Sequence, residues 1–232
     1  MKLSGNTRRT FLVLSFLLLS SGFSWVFANE IVAEPSVHII PRQADKTWTL
    51  EHETNNMVVY SRAAANSVLR EIIAESAIEA PPWQVLSAIL DYPAYPTFMP
   101  YVVKNEIEKT HENKTWVFQQ LSLPWPISDR YYTLVMSHRD DPQYENSYEI
   151  RWDLSDEKSA QQGKGMQMTL NRGGWRLVSA NAGQSTKILY YLNVDPGGSL
   201  PKWVNNMANT VSVPKVIEAV RKRVQTTAYP HR

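Results

Sequence analysis

The sharpest pattern in the chain is Tyr148-Glu149-Ile150-Arg151-Trp152-Asp153-Leu154, where apolar and charged side chains alternate without a break. A period of two places each set on its own face of an extended strand, so this segment predicts a strand that is dry on one side and wet on the other. Met166, Met168 and Leu170 alternate in the same way with Gln167, Thr169 and Asn171. Strands are predicted over 48–53, 57–61, 69–78, 102–110, 115–122, 130–139, 147–154, 165–178 and 185–194. Turn chemistry separates several of them, at Thr54-Asn55-Asn56, His111-Glu112-Asn113, Asp140-Asp141-Pro142 and Asn181-Ala182-Gly183. Such short links predict antiparallel neighbours. Gly173-Gly174 predicts a bulge or bend in the 165–178 strand.

The period changes in two places. Pro81-Pro82 opens a helical pattern through Trp83, Val85, Leu86, Ile89 and Leu90, with proline suited to a first turn. The following segment, 91–100, holds Pro93, Pro96 and Pro100 and predicts a broken helical connection. Near the end, Leu200, Val204, Met207, Val211, Pro214, Ile217, Val220 and Val224 recur at three or four residues. They form the apolar stripe of a helix spanning roughly 35 Å. Pro214 removes a donor from its middle and predicts a kink there. Lys215, Arg221, Lys222 and Arg223 fall towards its C-terminus, where the helix dipole favours positive charge, and read as a solvated end. The fold class is α+β: a one-sided, curved antiparallel sheet whose dry face is covered by one long C-terminal helix.

Composition adjusts this picture at the N-terminus. Lys2, Arg8 and Arg9 precede the apolar run 11–19, and a small-residue site at Val26-Phe27-Ala28 follows. Residues 1–28 therefore predict a signal peptide. Thr7-Arg8-Arg9-Thr10-Phe11-Leu12 is compatible with a twin-arginine signal as well as with general export, and an uncleaved anchor is a third reading. All three predict a periplasmic or secreted domain. Residues 29–46 form a leader with no clear period, 47–226 the domain, and 227–232 a tail. The whole chain of 232 residues carries 24 basic and 22 acidic side chains. Three of the basic residues and none of the acidic ones precede Asn29, so the mature chain has 21 against 22 and a formal net charge of −1. Nucleic-acid binding driven by bulk charge loses its basis. There is no cysteine, hence no disulfide and no thiolate nucleophile or metal ligand. Eight tryptophans and eleven tyrosines supply large amphipathic side chains for a core or a ligand site.

Several segments match a known family. Leu123-Pro124-Trp125-Pro126-Ile127-Ser128-Asp129-Arg130 leads into a strand, and Asp195-Pro196-Gly197-Gly198-Ser199-Leu200-Pro201-Lys202-Trp203 leads into the last helix. Together with Trp48-Thr49-Leu50 and Val58-Val59-Tyr60-Ser61-Arg62, they resemble the START (steroidogenic acute regulatory protein-related lipid transfer) domains over about residues 48–224. The resemblance implies a helix-grip fold, a sheet wrapped around the C-terminal helix with a lipid-sized cavity between them. It also implies binding or transfer of a hydrophobic molecule without catalysis. In sterol-binding members an acidic and a basic residue face each other across the cavity. Those positions fall near Gln120 and Met136, neither of which is charged. Tyr131 stands where the motif usually has an acidic residue after its arginine.

Alternation nominates the walls of such a cavity. Trp116, Phe118 and Gln120 share one strand face, and Arg130, Tyr132, Leu134 and Met136 share one on the next. Tyr148, Ile150, Trp152, Met166, Met168, Tyr190 and Leu192 extend the surface, with Met207 and Val211 from the helix. The same residues also read as plain core; methionine and tryptophan gathered under one helix fit an adaptable pocket. Arg130 reads either as a head-group ligand or as the partner of Asp129. Trp125 and Ile127 read as a membrane-docking loop, Trp125 alternatively as a turn stiffener between Pro124 and Pro126.

The expected partners are a lipid or other hydrophobic small molecule and, transiently, a membrane surface, with the protein a monomer. Two other functions stay open: a helix-grip enzyme of the cyclase or hydrolase type, and a lipid sensor or scaffold. Chemistry would need an acid–base pair in the pocket, yet His38, His52, His111 and His138 are scattered. No metalloprotease, nucleophile-elbow or phosphate-loop motif occurs, and no ligand cluster has metal spacing, so no cofactor is expected.

Overall fold

The computed structural model describes residues 47–63, 70–157, 159, 161, 163–195, 198 and 211–230. The expectations placed on residues 1–46, on the first part of the closing helix and on Met207 lie outside the described residues. β1 (Thr49–Thr54) and β2 (Met57–Ala63) form a hairpin about Asn55-Asn56, and β3 (Arg70–Ile78) pairs back on β2. The chain then crosses over through α1 (Pro82–Leu90), a 3-10 turn at Tyr92–Ala94, and α2 (Tyr95–Phe98). A meander follows: β4 (Val102–His111), β5 (Lys114–Leu121), β6 (Arg130–Asp140) and β7 (Tyr148–Leu154). After the short β8 (Met166–Gln167) come β9 (Leu170–Ala180), β10 (Ser185–Asp195) and α3 (Val213–Thr226).

These strands make one sheet in the order β1-β2-β3-β10-β9-β7-β6-β5-β4, with β8 added parallel to β6. The other pairings are antiparallel. Both helices lie on its inner face. Helix α1 packs against β7, β9 and β10, and α3 against α1, β2 and β3. Val85, Ala88 and Ile89 of α1 join Ile217, Val220 and Val224 of α3, with Ile150 and Leu177 beneath, in one fully buried core. Gln84 Nε2 donates to the Val224 carbonyl at 3.2 Å and ties the helices together.

Two local expectations are corrected. The 165–178 strand is split at Met168-Thr169, because this stretch changes partners. The amides of Met166 and Met168 bond to the Asp129 and Tyr131 carbonyls beside β6, whereas the Thr169 amide turns to Asp195 of β10. Gly173-Gly174 makes no bulge, since the register with both β7 and β10 runs through it unbroken. The pair instead gives close approach: a Cβ at Gly173 would overlap the Trp152 indole. The described α-helical stretch runs from Val213, directly after a π-type turn at Val211-Ser212, and the expected mid-helix kink at Pro214 depends on residues before 211 that lie outside the described ones.

The outer face is not uniformly wet. Glu157, Ser159, Gln161 and Lys164, between β7 and β8, lie against the outer side of β4–β6. Thr133 and Ser159 hydroxyls donate to the Glu108 carboxylate at 3.0 and 2.6 Å. Lys109 pairs with Glu157, and Lys104 donates to Gln161. Farther along, Asp141 is buried against Arg176 of β9, with contacts of 2.5 and 3.0 Å.

Candidate functional site: a largely apolar cavity under the sheet

Beyond the helix-packed core, the inner face is hollow. The described residues line a cavity of about 250 Å³. Its walls come from every strand between β4 and β10 that crosses the region, its ends from α2 and the start of α3. Val117, Gln119 and Leu121 of β5 face Tyr132, Leu134 and Met136 of β6. Trp152 of β7, Trp175 of β9 and Tyr190 of β10 form an aromatic floor, with ring centroids 4.4 Å apart for Trp175–Tyr190 and 5.8 Å for Trp152–Tyr190. Tyr92 and Tyr95 close one side edge to face at 5.9 Å. Leu123 and Ile127 from the β5–β6 loop, Tyr101 before β4, Ser212 just before α3 and Val216 of α3 frame the remaining end.

Polar groups in this lining are uncharged and ordered. Tyr132 OH donates to Gln119 Oε1; Gln119 Nε2 donates to Asn105 Oδ1 at 2.9 Å; Asn105 Nδ2 donates to the Tyr92 carbonyl at 2.7 Å. On the neighbouring wall Trp152 Nε1 donates to Asn171 Oδ1 at 2.9 Å. Burial pushes the Tyr132 hydroxyl well above its ordinary value and Tyr190 adds to this, while a hydrogen bond from Asn171 works the other way. Burial raises Tyr92, Tyr95 and Tyr190 too. All four hydroxyls are therefore neutral at physiological pH. Among the described lining residues there is no carboxylate, ammonium, guanidinium or imidazole, and the described residues hold no metal-ligating cluster.

The family described as polyketide cyclase/dehydrase and lipid transport matches residues 78–221. The chain belongs to this family. It is similar to the phosphatidylcholine transfer protein of Bos taurus, 23% identical over 186 residues that cover 80% of this chain and 87% of that protein. Solved structures agree in fold. The STAR-related lipid transfer protein from Xanthomonas axonopodis superposes with a TM-score of 0.69 at 22% identity, covering 78% of this chain and 99% of that one. Human STARD10 gives 0.67 at 20% identity over 79% of this chain and 75% of its own. The helix-grip fold, a curved antiparallel sheet with a C-terminal helix, is thus this chain's fold, and the cavity lies beside Ser212 and Val216 at the described start of that helix.

The residues nominated by alternation divide three ways. Tyr132, Leu134, Met136, Trp152, Met168, Tyr190 and Leu192 line the cavity. Tyr148 and Ile150 share the inner face but belong to the solid core under the helices. Trp116, Phe118 and Gln120 are corrected, for they point to the outer face. Gln120 pairs with Tyr131 in register, and its side chain exchanges hydrogen bonds with the Lys164 backbone. Phe118 is buried there beside Tyr131 and under Lys104. Lys109 lies over Trp116 on the same side.

Arg130 also lies outside the lining. Its guanidinium, buried at the start of β6, donates to the Ser128 and Asp129 carbonyls at 2.5 and 3.2 Å, so it braces its own loop instead of facing a ligand. Met166 is 40% exposed, and Val211 is half-buried away from the lining. The loop itself splits. Trp125 is 92% exposed and stacks between no prolines, whereas Ile127 is 8% exposed and lines the cavity, which corrects its placement as a docking residue. Alternation missed Asn105, Gln119, Asn171 and Trp175. For Gln119 the signal existed in the partner strand: pairing it with Tyr132 selects the inner face. For Asn105 no periodic signal existed, because register shifts at Val102/Lys104 and Ile107/Lys109 break the count along β4.

Proposed function

We propose that this protein binds a hydrophobic ligand, a lipid, in the cavity between the sheet and the closing helix, and carries it between membranes without chemically changing it. The observation that carries this reading is the lining: a space of about 250 Å³ walled by aliphatic, methionine and aromatic side chains with only uncharged polar groups. Moving a sixteen-carbon acyl chain through water costs about 13 kcal/mol, at about 0.8 kcal/mol per methylene, and a dry cavity replaces most of that loss. The four buried tyrosines hold their protons too tightly to serve as bases, which supports a carrier over an enzyme.

In this reading Trp125, exposed at the tip of the loop whose Ile127 lines the cavity, dips into the membrane interface during loading. The N-terminal segment, with its apolar run behind Arg8 and Arg9, directs the domain out of the cytoplasm, so exchange takes place at the periplasmic or outer surface of a membrane. The test is transfer between donor and acceptor vesicles carrying a fluorescent lipid. A carrier raises the exchange rate in proportion to protein concentration. A sensor retains its ligand and leaves the rate flat. An enzyme yields a product of altered mass on extraction.

A further inference from the structure

We propose that the wall formed by Asn105, Gln119, Tyr132 and Asn171 is the subsite for the polar end of the ligand, and that this end is an uncharged hydroxyl or carbonyl group. The inference rests on the cavity-binding reading above and names the class of ligand the cavity takes.

The four side chains are each buried, at 4–8% exposure, and each lines the cavity. Their hydrogen bonds run in one direction, from the Tyr132 hydroxyl through Gln119 and Asn105 to the Tyr92 carbonyl. A primary amide has two N–H groups and a carbonyl with two lone pairs. Gln119 Nε2 and Asn105 Nδ2 each spend one of their two N–H groups inside the chain, and the Tyr132 hydroxyl takes a further hydrogen bond from Asn171. The wall therefore offers both donors and acceptors, already oriented by their own network. Asn171 accepts from Trp152 Nε1, hydrogen-bonds the Tyr132 hydroxyl and reaches Met168 Sδ at only 3.9 Å, a weak contact that a ligand acceptor can replace.

A network serving only to fill a core would not need three amides at the edge of a hollow, since apolar residues of similar volume satisfy themselves there. A charged head group is disfavoured by the same wall. Burying a carboxylate or phosphate without a cationic partner carries a large desolvation penalty, and no described lining residue supplies one. A hydroxyl or carbonyl is matched donor for acceptor. The volume points the same way, because about 250 Å³ sits at the small end of ligand pockets and suits one chain or a compact ring system.

The experiment is a competition titration of the full chain at about pH 7.4, with pyrene as a purely apolar fluorescent probe and oleyl alcohol, oleate and phosphatidylcholine as competitors. Expected is displacement of pyrene by oleyl alcohol at a concentration at least tenfold below that needed for oleate or phosphatidylcholine. Tyr132→Phe and Gln119→Met are each expected to weaken oleyl alcohol about tenfold while pyrene affinity stays the same. Tyr132→Phe keeps the ring and removes one oxygen, so it carries the test should the amide variant fold poorly. Oleate or phosphatidylcholine displacing pyrene as well as the alcohol overturns the inference, as does unchanged alcohol affinity in Tyr132→Phe; pyrene binding then still upholds the cavity. Absence of pyrene binding and of every competitor overturns both.

Discussion

One inner face of one sheet does two different jobs. Where α1 and α3 press on it, the residues are aliphatic and fully buried: Val85, Ala88, Ile89, Ile150, Leu177, Ile217 and Val220. A few residues along the same strands, the face carries methionines, aromatic rings and amides around an empty space. The change lies on single strands: β7 passes from Ile150 in the core to Trp152 in the wall, β9 from Leu177 to Trp175 and Asn171. Branched aliphatics pack into a unique arrangement, whereas rings and thioethers border a gap without collapsing into it. Stability and binding are therefore assigned to neighbouring stretches of the same strands, and each should respond to mutation with little effect on the other.

The largest expected effect lies outside both regions and serves as their control. Asp141→Asn leaves the Arg176 guanidinium buried without its charge partner, a loss of about 3–5 kcal/mol in urea denaturation with ligand binding unaltered per folded molecule. The same pair sets an acid limit. Burial acts to raise Asp141, but the Arg176 hydrogen bonds, the Gln143 and Tyr144 amides and the Arg176 charge together bring it below its ordinary 3.8. A carboxylate lowered on folding contributes its full stability above the unfolded value and loses it as pH falls through the folded one. Denaturation curves of the wild type should therefore lose stability below about pH 4 more steeply than those of Asp141→Asn.

Next in size is Ile217→Ala in the packed half, expected to cost about 2–5 kcal/mol of stability and to leave ligand affinity unchanged. Affinity falling in step with stability would break the division between the halves. Enlargement sharpens it further. Ala88→Leu overfills the solid core and should cost about 1–3 kcal/mol, whereas Val117→Phe projects into existing space and should cost under about 1 kcal/mol while abolishing ligand uptake. Smallest in stability is Trp125→Ala, within about 0.5 kcal/mol of wild type because the ring is 92% exposed. Its effect belongs to vesicle co-sedimentation, which should drop severalfold.

How much of this was legible beforehand follows from the cover on each face. Strand β7 has one wet side, so Tyr148-Glu149-Ile150-Arg151-Trp152 declared its register directly. Strand β5 is buried on both sides, by the cavity within and by the 155–165 segment without, so Trp116-Val117-Phe118-Gln119-Gln120-Leu121 alternates equally well either way. Alternation from Trp116 selects the outer set. Its correction needs the β6 pairing, a long-range fact that periodicity does not carry. Asn105 was hidden by register shifts, and Tyr92 and Tyr95 by their place in a proline-broken connection with no period. Arg130 reads as a head-group ligand or a structural partner from its place on the strand face of Tyr132, and the structure turns its guanidinium to the Ser128 and Asp129 carbonyls. The fold was carried by turns and alternation; the chemistry of the wall was carried by register.

The central claim is that the hollow half of the inner face holds a hydrophobic molecule. Native mass spectrometry of the purified protein, followed by organic extraction, measures it most directly. Expected is a folded monomer carrying one extractable hydrophobic molecule, released unaltered in mass, and lost in Val117→Phe. A protein that emerges empty and stays empty after incubation with a lipid panel would contradict it.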